Sequence, residues 1–159
     1  MKYLKYILPL VFIVDFSNAQ DKKTEQNETT NVESIVESSR FEFAAESASP
    51  MSGRTINLST GYTFTVLPDS IISYLPYYGR AFQAPMDPED AGIKFTSTDF
   101  TYAIKDKRKG GWNITVKPKD VKNSLQISLS VSANGRASLH IISSNRQAIS
   151  FNGFIKKEG

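Results

Sequence analysis

The chain has 159 residues, a formal net charge of +3, 40% hydrophobic residues and no cysteine. That length suits one domain with a real core, and so mild a positive charge is no nucleic-acid signature. The lack of cysteine excludes a disulfide framework, a thiol nucleophile, a thiolate metal site and a lipid anchor built on a Cys after a signal.

In chain order, the first 19 residues read as a secretory signal. Lys2 and Lys5 supply the positive start, Tyr6 to Val14 the apolar stretch, and Ser17-Asn18-Ala19 the small residues at a cleavage site that leaves Gln20 first. The apolar stretch is too short for a spanning helix, which needs roughly 20 such residues. Residues 20–31 (QDKKTEQNETTN) carry no large apolar side chain and read as a disordered leader. A single β domain is expected over 32–159. It begins with Val32, Ile35, Val36 and Ser39 at helical spacing, a short helix that is stable only if it docks.

From Phe41 the period changes to two. Phe41, Phe43 and Ala45 alternate with polar neighbours, and Ser49 to Gly53 reads as a turn. Ile56 and Leu58, then Tyr62, Phe64 and Val66, then Ile71 to Tyr74 follow. Beyond a loop at 86–92 come Ile93 and Phe95, then Phe100, Tyr102 and Ile104. Trp112, Ile114 and Val116 follow, then Leu125 to Val131, then Leu139 and Ile141, and finally Ile149, Phe151 and Ile155. One apolar face per segment predicts an all-β antiparallel meander of about eight or nine strands, closed into a barrel or wrapped sheet so that few edges stay bare.

At Asn134-Gly135 the pattern also predicts register. A two-residue loop would set Leu129 against His140, the apolar face of one strand against the polar face of the next. A three-residue loop, Ala133-Asn134-Gly135, sets Leu129 against Leu139 and Ile127 against Ile141, with Gly135 left-handed at a bulge. The same arithmetic sets Leu139 against Phe151.

Little here can carry chemistry. His140 sits between Leu139 and Ile141, so it points outward, and no triad pattern surrounds it. Asp87-Pro88-Glu89-Asp90 does not have the spacing of a calcium loop, and Lys105 to Lys109 is a basic hairpin tip. Trp112 belongs to the apolar face. The dense exception to the alternation is Leu75 to Pro85, where two prolines bracket Tyr77, Tyr78, Gly79, Arg80 and Phe82. Tyr77, Tyr78, Arg80, Phe82 and Arg146 are the candidate binding residues, with Tyr78 and Arg80 foremost, since Tyr and Arg join large contact area to a polar end. Arg80 and Arg146 each flank turn geometry, where a guanidinium fork can instead lock irregular backbone by bonding carbonyls. Residues 75–85 would then cover one end of the barrel. No cofactor or metal is expected, and the partner would be a small molecule or an envelope protein. A secreted hydrolase is the lesser alternative, since no nucleophile–base pair is visible, and a purely structural envelope role stands beside both.

Four stretches, LPYYGRAF at 75–82, GIKFTSTDFTY at 92–102, KGGWNITVKPKD at 109–120 and NRQAISFNGFI at 145–155, together resemble the secreted bacterial family called domain of unknown function 4251. The similar region runs from Val32 to Ile155. Tyr78 and Phe82 depart mildly from the family's pattern, where Phe and Tyr are commoner. The resemblance implies secretion by a Gram-negative bacterium and an all-β domain, and brings no activity and no site residues.

Overall fold

The computed structural model describes residues 32–82, 92–108 and 110–158. The expected signal, leader and acidic loop lie outside the described residues. A short helix over 32–37 opens the domain and buries Val32, Ile35 and Val36, the i, i+3, i+4 stripe that makes so short a helix dock. It stops two residues before the expected Ser39. Ser39 takes a left-handed φ of 49° and its N–H bonds the Val36 carbonyl at 3.1 Å, which turns the chain out of the helix.

Ten strands follow: β1 Phe41–Pro50, β2 Ile56–Asn57, β3 Thr63–Val66, β4 Ile71–Leu75, β5 Ile93–Ser97, β6 Phe100–Asp106, β7 Trp112–Pro118, β8 Leu125–Val131, β9 Arg136–Ser143 and β10 Ile149–Lys157. They form one antiparallel sheet in the order β5-β4-β3-β1-β10-β9-β8-β7-β6, with β2 added on β1. The barrel-like wrap puts the apolar faces inside, where Phe41, Phe43, Phe64, Phe151, Leu129 and Leu139 are almost wholly buried. Each such side chain contributes about 1.5–3 kcal/mol through burial. β1 continues through Pro50, past the expected turn at Ser49, because Ile149 of β10 pairs with it.

The predicted register is borne out. Leu129 pairs with Leu139, Ile127 with Ile141, and Leu139 with Phe151. Ser132 and Arg136 close the three-residue loop, and Gly135 has φ 80°. His140 is exposed and its Nδ1 lies 2.9 Å from the Ser150 hydroxyl. Trp112 is buried. At the bulge of β1, Gly153 of β10 lies so close that a Cβ there would collide with the Ala44 carbonyl oxygen. Ile104, by contrast, is 37% exposed, because β6 has a strand neighbour on one side only.

The sheet closes in an unusual way. Eight successive antiparallel pairings separate β5 from β6, and an even number of reversals leaves the two running in the same direction. Only Thr98 and Asp99 lie between them. Two segments so joined and so directed are not a hairpin. They are successive halves of one bent strand, the first half pairing with β4 and the second with β7.

Candidate functional site

Among the described residues the bend leaves β5 without a strand neighbour on one edge, and that edge is one wall of a cavity. The cavity holds about 510 Å³. Gly92 to Thr96 form one wall, the β7–β8 loop from Asp120 to Asn123 faces them, and Leu125, Ile141 and Ile149 supply an apolar floor. Tyr77, Asn145, Arg146 and Gln147 line the remaining side. Apolar floor, polar rim and a volume in the range of small-ligand sites are the usual features of a binding cleft.

The rim is built from side chains that hold irregular backbone. Arg146 donates from Nη1 to the Gly92 carbonyl at 2.7 Å, and its guanidinium carbon stands 5.1 Å from the Tyr77 ring centroid. This is the backbone-locking role expected of an arginine fork, reinforced by a cation–π contact. The single Tyr77 hydroxyl proton is shared between the carbonyls of Arg80 and Gln147, at 3.0 and 3.1 Å. Burial pushes its phenol up from the ordinary value, with the Arg146 charge opposing. Two backbone bonds, Gln147 N–H to the Arg80 carbonyl and Phe82 N–H to the Asn145 carbonyl, lay 80–82 against 145–147 as a short bridge.

The five candidate residues therefore divide. Tyr77 and Arg146 meet at the cavity. Tyr78 is half-buried and packs against the core. Arg80 and Phe82 are exposed and do not line the cavity. Arg80 is held through its main chain, while its guanidinium makes no hydrogen bond among the described residues, so the loop-tying role belongs to Arg146. Residues 83–85 of the expected cover lie outside the described residues.

Asp120 holds the opposite end. Its carboxylate accepts from the buried Ser97 hydroxyl and from the backbone N–H groups of Thr98 and Asp99, at 2.8 and 3.2 Å, and so fixes the bend between β5 and β6. The Ser97 hydroxyl above all, then the Thr98 amide, holds its pKa down to about 2 from the ordinary 3.8. In the sequence, Pro118-Lys119-Asp120 has the composition of an ordinary turn and gives Asp120 no special role. One signal pointed further: the apolar phase slips between Ile93, Phe95 and Phe100, Tyr102, with no turn-forming glycine to account for it.

Among the described residues no cluster of His, Cys, Asp and Glu suits a metal, and no helix is long and apolar enough to cross a membrane.

The family described as Domain of unknown function (DUF4251) matches residues 23–155. The chain belongs to the DUF4251 family. The crystal structure of a DUF4251 family protein from Bacteroides eggerthii DSM 20697 superposes on this member with a TM-score of 0.63 at 13% identity, covering 86% of this chain and 91% of that one. At that identity the likeness establishes the shared fold. No curated protein matches the chain.

Proposed function

We propose that this DUF4251 member is a periplasmic binding module of a Gram-negative bacterium, and that the cleft beside β5 holds its ligand, a small molecule or a segment of an envelope protein. The observation that carries this reading is the cleft itself: about 510 Å³, floored by Leu125, Ile141 and Ile149 and framed by side chains locked in place at both ends. A rigid frame lowers the ordering cost of binding. The signal pattern of residues 1–19 supports export, and cleavage after Ala19 then leaves Gln20 at the start of the exported chain, which intact mass measures directly.

Native mass spectrometry of gently purified protein tests the binding reading. A ligand adduct is expected on the wild type and is expected to vanish in Leu125→Trp, which fills the cleft. Thermal melting of that variant confirms that it stays folded. An adduct that survives in the folded Leu125→Trp protein, or a wild type free of any adduct, overturns the reading.

A further inference from the structure

Which groups of β5 face the cleft follows from the turn that precedes it. Leu67 N–H bonds the Ser70 carbonyl at 2.9 Å, so that pair is hydrogen-bonded and the pairs two residues on, 65:72 and 63:74, are hydrogen-bonded as well. On β4, residues 72 and 74 thus point to β3, while 71, 73 and 75 point to β5. The hydrogen-bonded partners on β5 are Ser97, Phe95 and Ile93. The Ser73 hydroxyl agrees, since it reaches the Ile93 carbonyl at 2.7 Å. Lys94 and Thr96 therefore turn both their N–H and their C=O away from β4 and into the cleft, and among the described residues nothing bonds these groups.

The same edge is capped just beyond each end. Arg146 takes the Gly92 carbonyl and Asp120 takes the Thr98 N–H, two charge-assisted bonds that satisfy the edge where it leaves the cleft. Between the caps lies about 20 Å of strand at the ~3.3 Å rise per residue. Two residues there offer two donors and two acceptors in a line, over an apolar floor and under open solvent. That spacing and that one-sided polarity match an extended polypeptide, whose alternate side chains would face Leu125, Ile141 and Ile149 and then water.

Resting on the binding reading above, we infer that the ligand class is an extended peptide segment of about five residues that adds to the edge of β5, pairing with Lys94 and Thr96, and carries small aliphatic side chains at the inward positions. The main-chain bonds give affinity and the apolar floor selects the inward residues.

The probe is a pool of acetylated, amidated pentapeptides with Val, Ala or Leu at the second and fourth positions and Ser or Thr elsewhere, added to the full exported chain and read by amide hydrogen exchange. The pool is expected to slow exchange of the Lys94 and Thr96 amides at least tenfold. A pool N-methylated at the amides that face β5 is expected to do nothing, though it keeps every side chain. Thr96→Pro removes an N–H that β4 does not use, a position where an edge strand tolerates proline. That variant is expected to keep the slow amides of Ile93 and Phe95 and to lose the peptide. No slowing at millimolar peptide, equal effect of the N-methylated pool, or full binding by Thr96→Pro overturns the inference. An adduct that Leu125→Trp abolishes, without protection of these two amides, overturns the peptide while the cleft reading stands. Absence of any adduct removes both.

Discussion

The wall from β1 through β10, β9 and β8 to β7 and the seam at β5–β6 hold together by different means. In the wall, long strands pair along nearly their whole length, with one bulge in β1, and share a common apolar face, and the core residues Phe43, Leu139 and Phe151 carry its stability. At the seam the ladder stops, and single side chains replace it: Arg146 on Gly92, Tyr77 on Arg80 and Gln147, Asp120 on Ser97, Thr98 and Asp99. The wall is stabilised by many equivalent contacts, whereas each seam contact is specific. Among the described residues one strand edge is left without a strand partner and is capped at both ends, which limits the aggregation risk of a bare edge.

The largest expected effect lies in the wall. Leu139→Ala leaves a cavity between Leu129 and Phe151 and should cost about 3–4 kcal/mol in urea unfolding, with cooperativity retained. A loss under 1 kcal/mol would mean that the wall is no firmer than the seam.

Next comes Arg146→Ala, which frees the Gly92 carbonyl and removes the cation from Tyr77. A loss of about 1–2 kcal/mol is expected, together with faster exchange in 80–82 and 145–147 only. Uniformly faster exchange across β8 and β9 would erase the distinction between the two regions.

Asp120 gives a pH signature. Its folded pKa is depressed, so its contribution is fully present above the ordinary 3.8 and is lost as pH falls from about 4 toward about 2. Stability curves of wild type and Asp120→Asn should therefore differ at pH 6 and converge across that window. Parallel curves down to pH 2 would show that the carboxylate does not hold the bend.

Arg80→Ala should be the mildest of the set, within about 0.5 kcal/mol, as for an exposed side chain away from any special contact. A cost as large as that of Arg146→Ala would return the loop-tying role to Arg80.

The wall was legible in the sequence because alternation and turn chemistry act locally. Burial of one face selected the three-residue loop at Gly135, and that loop alone set Leu129 beside Leu139 and Leu139 beside Phe151. The seam was only half legible. The proline-bracketed stretch put Tyr78 and Arg80 foremost, whereas its neighbour Tyr77 is the one that lines the cavity, and a fork beside a turn drew attention to Arg146. Nothing local tells that Arg146 will reach Gly92, 54 positions away, or that Asp120 will reach Ser97. Those bonds exist only after the wall has wrapped, and a seam residue such as Asp120 reads in sequence like any polar turn residue. Both arginines flank turns, and sequence reasoning put Arg80 first as a contact; only the fold separates the exposed Arg80 from Arg146, which lines the cleft.

The open edge is the centre of this account, and amide exchange of the unliganded protein along β5 tests it most directly. Lys94 and Thr96 should exchange much faster than Ile93, Phe95 and Ser97, giving a period of two along the five residues of one strand. Equal, slow exchange of all five amides would mean that the edge is already paired, and would contradict the account.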